Sequence, residues 1–146
     1  WPNLSPDGQQ LLWVANQRGR APVMLTDLRT GRSTDLTPEP LAAAESPRFS
    51  PDGRHITFAS MRDSLEQGSN DIFVMDAAGG QMRNLCRHPA EDFDPNWSAD
   101  GQRVVFASLR SGTSLLYEVS VDSGQTRALS VHASHDMDHV VRPPRR

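Results

Sequence analysis

The stretch Ser50-Pro51-Asp52-Gly53 decides the fold, because it recurs. It stands also at Ser5-Pro6-Asp7-Gly8 and, with Ala in place of Pro, at Ser98-Ala99-Asp100-Gly101; the spacings are 45 and 48 residues. Internal periods of this length mark repeat architectures. The match extends outward from the turn. Pro2, Pro47 and Pro95 each precede the Ser by three positions, and Leu4, Phe49 and Trp97 stand just before it. After each turn comes an apolar run: Leu11-Leu12-Trp13-Val14-Ala15, Ile56-Thr57-Phe58-Ala59 and Val104-Val105-Phe106-Ala107. A second run follows at Val23-Met24-Leu25, Ile72-Phe73-Val74-Met75 and Leu116-Tyr117-Glu118-Val119. A polar turn ending in Gly31, Gly80 or Gly124 then leads to Leu36, Leu85 or Leu129.

Each unit therefore holds four short segments rich in β-branched and aromatic residues and bounded by Gly, Pro, Asp and Ser, the pattern of strands. Asp-Gly suits a tight turn, because Gly accepts positive φ and Asp bonds local backbone. Leu41-Ala42-Ala43-Ala44-Glu45 has helical propensity but is too short to stand as a helix, and reads as a turn in a linker. Four strands repeated every 40 to 50 residues or so predict an all-β fold, a β-propeller of four-stranded antiparallel blades, with three blades in this chain. The blades run over about 1–46, 47–94 and 95–139. Residues 140–146 are a tail or the start of a truncated fourth blade.

The pattern Pro-x-aromatic-Ser-Pro-Asp-Gly, an apolar run, Asp-Ile-Phe-Val-Met-Asp at 71–76, Gly-Gly and a closing Leu resembles the TolB-type, WD40-like PD40 repeat. Residues 47–85 match best. The first unit departs at Leu4, the third at Ala99 and Ser120. The resemblance covers roughly residues 1–139. It implies a bacterial protein in the periplasm or secreted, although a cytoplasmic place stays open, and a scaffold that binds a protein or peptide. It does not select one activity. Tricorn-type and prolyl-oligopeptidase-type peptidases and oligogalacturonate lyases resemble one another in these repeats.

Composition narrows the classes. The 146 residues carry 15 basic groups, all Arg, and 18 acidic ones, for a net charge of −3 and a mean hydropathy of −0.56. That balance argues against nucleic acid, which needs a concentrated basic surface. No apolar run approaches the ~20 residues of a membrane helix, so no membrane insertion is expected. Cys86 is the sole cysteine, which excludes an internal disulfide and a multi-thiolate zinc site. The chain starts at Trp1, as expected of a mature form or an excised domain.

Propellers usually close with 4–8 blades, so three leave two flanks where Trp13, Trp97 and Phe106, residues expected between sheets, lack a cover. Two solutions are open: a homodimer that completes six blades, or a place within a longer propeller. The homodimer is the expectation adopted.

A site is expected on one face. The Ser-Pro-Asp-Gly and Asp-x-x-x-Gly turns share the other face and barely vary, whereas the loops between second and third strands, with the linkers between blades, differ. The second unit carries a four-residue insertion within 62–70, and the linkers are Pro/Ala-rich, acidic, and His/Asp-rich in turn. Variable loops on a rigid scaffold carry function. Arg62, Asp92, Asp94, Arg110, Asp136 and Asp138 are therefore the expected partner-binding residues, with no catalytic residue and no cofactor. Arg fits carboxylates bidentately. Such Arg also pair with Asp of a neighbouring blade, and carboxylates at strand starts also bond backbone amides.

The alternative is a metal enzyme. His132, His135 and His139, with Asp136 and Asp138, crowd one linker, and imidazoles with carboxylates ligate Zn, Mn or Ni. Asp92 and Asp94 with Glu91 are a second acidic group suited to Ca²⁺ or acid–base chemistry. Oligogalacturonate lyases resemble this in holding a His-bound metal in a propeller. A third reading is the propeller part of a larger prolyl-oligopeptidase-type peptidase. The chain holds no Gly-x-Ser-x-Gly nucleophile elbow and no phosphate loop. Cys86 stands where the other units have Thr37 and Ser130, as a small structural residue.

Overall fold

The computed structural model describes residues 2–16, 20–38, 43–63 and 68–129, which form twelve strands and no helix. The first sheet holds β1 (Asn3–Leu4), β2 (Gln10–Val14), β3 (Val23–Asp27) and β4 (Ser33–Asp35) in chain order. The second holds β5 (Ala44–Phe49), β6 (His55–Ser60), β7 (Asp71–Asp76) and β8 (Arg83–Cys86). The third holds β9 (Asp92–Trp97), β10 (Arg103–Ser108), β11 (Leu115–Ser120) and β12 (Thr126–Ala128). All neighbours pair antiparallel, so each sheet is one four-stranded blade made from contiguous chain.

The first strands of blades 2 and 3 begin at Ala44 and Asp92, upstream of the boundaries read from the prolines. Ala44 and Glu45 accordingly belong to β5 rather than to a linker turn. The reason is a bulge. Register shifts between Glu45 and Arg48, and opposite Val105 and Ala107 in β9. Ser46 and Asp94 sit there with φ of 49° and 51°. Each immediately precedes a proline, which hides the strand's true start from a reading of turn residues.

The repeated turn is one hydrogen-bonded device built three times. Ser50 Oγ donates to Asp52 Oδ1 at 2.5 Å, the same oxygen accepts from Arg54 N at 3.0 Å, and His55 N donates back to Ser50 Oγ at 2.9 Å. Ser5 with Asp7 and Ser98 with Asp100 repeat the arrangement, and Ala99 leaves it intact. These bonds, the Ser hydroxyl first, hold the Asp7, Asp52 and Asp100 carboxyls below the usual range.

Strand alternation gives every blade two working faces. Between blades 1 and 2, Leu12, Val23 and Leu36 pack on Phe49, Ile56, Phe58, Phe73 and Met75. Between blades 2 and 3, Ala59, Ile72, Val74, Leu85 and Cys86 pack on Val104, Phe106 and Val119, with Trp97 and Tyr117 at the margin. Blade 2 is thus covered on both sides. Burying one large apolar side chain is worth about 1.5–3 kcal/mol, so the two cores hold the arc together. Cross-strand ring pairs, Phe58 with Phe73 and Phe106 with Tyr117, lie 5.6 and 6.1 Å apart. Trp13 differs. It pairs with Met24 on the open side of blade 1, half-buried, its indole donating to Thr26 Oγ1 at 2.9 Å.

Candidate functional site

The first strands run side by side, β1 against β5 and β5 against β9, while the last strands splay outward. The linkers enter the first strands, so the linker face brings β5 and β9 to the inner end of the arc. There Ser46 Oγ donates to Asp94 Oδ1 across the blade boundary at 3.0 Å. Ser46 is buried and Asp94 exposed. Positive φ in a residue other than Gly is uncommon, and two such residues at matching positions mark a place the fold constrains. The bulge leaves the Asp94 residue exposed, with a neighbouring hydroxyl to orient its carboxylate.

Asp92 and Arg110 have another role. Asp92 is fully buried, and Arg110 Nη2 lies 3.0 and 2.8 Å from its two oxygens. Asp92 Oδ2 also accepts from Cys86 Sγ at 3.3 Å. Arg110 Nε donates to Ser108 Oγ at 2.8 Å, and its guanidinium lies 4.7 Å from the Tyr117 ring centroid and 5.3 Å from that of Phe106. Asp92 is therefore a structural acid inside blade 3 and out of a partner's reach. Arg110 spends its charge on that acid, within its own blade rather than across a boundary. The sequence missed this because Asp92 and Arg110 lie 18 positions apart, on strand ends that only the β9–β10 pairing brings together.

Arg62, at the matching end of β6, places Nη1 2.9 Å from Met82 Sδ, so its stem lies along the blade. Asp63, next to it, accepts from Arg87 at 2.9 Å and from Asn84 at 3.3 Å. Glu91 accepts from Asn70 N and Nδ2 at 3.0 and 2.7 Å. Ser69 Oγ and Asn70 Oδ1 are buried beside it with no hydrogen-bond partner among the described residues. Burial, with the Asp92 carboxylate next, pushes the Cys86 thiol up to about 12. Asp136, Asp138, His132, His135 and His139 lie outside the described residues. Among those described, no three His, Cys, Asp or Glu groups gather as a metal would require, and no helix is long and apolar enough to cross a membrane.

The turn face is not featureless. A cleft of about 470 Å³ opens between the turns of blades 2 and 3, lined by Asp52, His55, Arg83, Asp100 and Asp122 among others. Asp52 and Asp100 are already engaged by their own turns, and Arg83 donates to Val121 O. Its polar groups are therefore engaged within their own turns or, for Arg83, across the blade boundary.

The chain is similar to known proteins over most of its length. It is 32% identical over 124 residues to the Tol-Pal system protein TolB of Bordetella pertussis, covering 84% of this chain and 27% of that protein. It is 25% identical over 144 residues to dipeptidyl-peptidase 5 of Porphyromonas gingivalis, covering 90% of this chain and 21% of that one. In structure it matches TolB from Acinetobacter baumannii with a TM-score of 0.74 at 26% identity, over 88% of this chain and 31% of the other. The chain thus spans about a quarter of the length of the curated relatives it matches. With the family model matched over residues 1–145, on top of three blades built alike, the chain belongs to the PD40 family, the TolB β-propeller domain.

Proposed function

We propose that the chain is a non-catalytic TolB-like scaffold, periplasmic or secreted, that binds a protein or peptide at the linker end of its arc without a cofactor. A second copy completes the ring. One relative is named a Tol-Pal system protein, and this supports a protein partner. The observation that carries the site is Asp94: exposed, held at φ 51° and oriented by Ser46 of the neighbouring blade. A fixed carboxylate discriminates partners by pairing and repulsion.

The test is a pull-down from the native extract with three proteins: wild type, Asp94→Arg with Asp138→Arg, and a control altered at Arg32 and Gln81, both exposed on the turn face. The double reversal should lose the captured partner while staying folded by circular dichroism, since Arg at φ 51° and the lost Ser46 bond cost of order 1–3 kcal/mol. Loss in the control with retention in the double reversal would reverse the faces. Stoichiometric metal in the purified protein, lost on changing His132, His135 and His139, would overturn the cofactor-free reading.

A further inference from the structure

The repeated turn sets an aspartate directly before a glycine at Asp7-Gly8, Asp52-Gly53 and Asp100-Gly101, and all three aspartates are exposed. Such a pair can react with itself. The glycine amide nitrogen attacks the aspartate Cγ, and glycine, with no side chain, hinders the approach least. An N–Cγ bond forms, the nitrogen gives up its proton, and a carboxyl OH leaves with that proton as water. The product is a five-membered succinimide. Water then opens the ring at either carbonyl. Opening at the former main-chain carbonyl sends the chain through the side-chain carbon, which is an isoaspartate. No reactant but water enters, and the protein's mass is unchanged at the end.

Each turn holds both reacting atoms apart. The glycine N–H donates to the serine carbonyl three residues back, Gly8 to Ser5, Gly53 to Ser50 and Gly101 to Ser98, each at 2.9 Å. A nitrogen held this way keeps its proton, and until it loses that proton its lone pair is spent in amide resonance. The carboxylate is held from two sides. Ser5 and Ser50 Oγ donate to the Asp Oδ1 at 2.5 Å, and Ser98 Oγ does so at 2.6 Å. The same oxygen accepts from the amide of Gln9, Arg54 or Gln102 at 3.0 Å. Swinging Cγ onto the glycine nitrogen breaks both bonds. These bonds also favour the ionised carboxyl, which has no OH to lose.

The serine is itself fixed by the strand that follows. Its Oγ accepts from Gln10 N at 2.9 Å, His55 N at 2.9 Å and Arg103 N at 3.0 Å in the three turns. In the third, Ser98 Oγ also lies 3.1 Å from Arg103 O. The side chain must therefore accept from the strand and donate to the aspartate at once, which a hydroxyl does and an alkyl group cannot. We propose that the three Asp-Gly bonds are isoaspartate sites, each kept closed by the serine hydroxyl of its own turn. An isoaspartate would add a backbone carbon to the turn and carry the carboxylate off its serine, so one event would undo the whole device. Neither partner capture through Asp94 nor a second copy enters this chemistry.

The experiment uses the whole chain, folded by circular dichroism and held for weeks at about pH 6 and 37 °C. It is then digested, and isoaspartate at positions 7, 52 and 100 is read by electron-transfer fragmentation. The same chain in guanidinium chloride gives the open rate. The folded chain should form isoaspartate at least tenfold more slowly at all three positions, and equal rates overturn the proposal. Ser50→Ala should raise the rate at Asp52 at least fivefold and leave Asp7 and Asp100 at the wild-type rate. Ser50→Thr, which keeps the hydroxyl, should restore it. An unchanged rate at Asp52 in Ser50→Ala overturns the role of the serine. So does a rise at all three positions, the pattern that Arg110→Ala should give by loosening the fold without touching a turn. If Ser50→Ala does not fold, Ser98→Ala, read at Asp100, replaces it with the same two outcomes.

Discussion

Arg110 clamps Asp92 through one guanidinium nitrogen, 3.0 and 2.8 Å from its two oxygens, while its plane covers Tyr117 at 4.7 Å. The pair joins the start of β9 to the end of β10 at the place where the linker enters blade 3. Asp92 is fully buried and the Arg110 side chain only 15% exposed, so neither charge is well solvated. Removing one partner from such a pair strands the other, at a cost of about 3–5 kcal/mol. Arg110→Ala should therefore destabilise the fold by roughly 3 kcal/mol in urea titration. Arg110→Met with Asp92→Asn should recover part of that loss. Stability of the single variant equal to wild type would show that the pair holds nothing.

Cys86 shares that buried acid. Burial raises its thiol to about 12, and the Asp92 carboxylate acts in the same direction. The thiolate is the reactive form, so the folded protein should resist iodoacetamide and disulfide reagents at pH 8, whereas the unfolded chain reacts at the ordinary rate. Rapid labelling of the native protein would contradict both the burial and the shift.

The turn carboxylates contribute to the acid sensitivity of stability. Asp7, Asp52 and Asp100 are held below the ordinary carboxylate value of 3.8 by the Ser hydroxyls and following amides. The folded state thus binds fewer protons than the unfolded state between the lowered and ordinary values. Their contribution is complete above about pH 5 and is lost as pH falls through the folded values. Changing all three to Asn should lower the melting temperature at pH 7 and flatten its fall between pH 5 and 3. An unflattened profile would place the acid sensitivity elsewhere.

Gly53 has φ of 72° and sits against Pro6 of the neighbouring blade. A β-branched residue at positive φ costs of order 1–3 kcal/mol, and the added Cβ also presses on the proline. Gly53→Val should lower stability by roughly 2 kcal/mol in urea titration. Gly8→Val carries the same backbone strain in open space, so it should cost the isolated chain less. Equal losses would remove the boundary contact from the account.

The repeat was legible because its signals are local. Asp-Gly turns, the prolines before the first strands and the closing leucines each lie within a few residues of what they shape, and strand number and order followed. The start of the first strands was not legible, because the bulges at Ser46 and Asp94 break the alternation a reader counts on. The site was half legible. Asp94 could be placed on the linker face from spacing alone. The fate of Asp92 could not, since its burial depends on Arg110 and Cys86 arriving from two other strand ends.

Glu118 faces Arg127 across β11 and β12, where blade 1 pairs Leu25 with Thr34. At the blade 1–2 boundary that position helps fill the core, because Leu25 packs against the buried cluster. If blade 3 docks on blade 1 of a second copy, its ion pair is covered by the contact. Replacing a satisfied buried ion pair by apolar groups of similar size is often neutral or stabilising, by about 1–4 kcal/mol. Glu118→Leu with Arg127→Thr copies the blade 1–2 boundary and leaves Arg103 its other carboxylate, Asp100, at 3.4 Å. This double variant should associate more tightly than wild type, by roughly tenfold in dissociation constant for each 1.4 kcal/mol gained. Glu118→Leu alone leaves Arg127 without its acid at the junction and should associate more weakly. Sedimentation equilibrium across a dilution series of the three proteins reads both effects. If the double variant dissociates at least as readily as the single one, this flank is not the surface that meets the second copy.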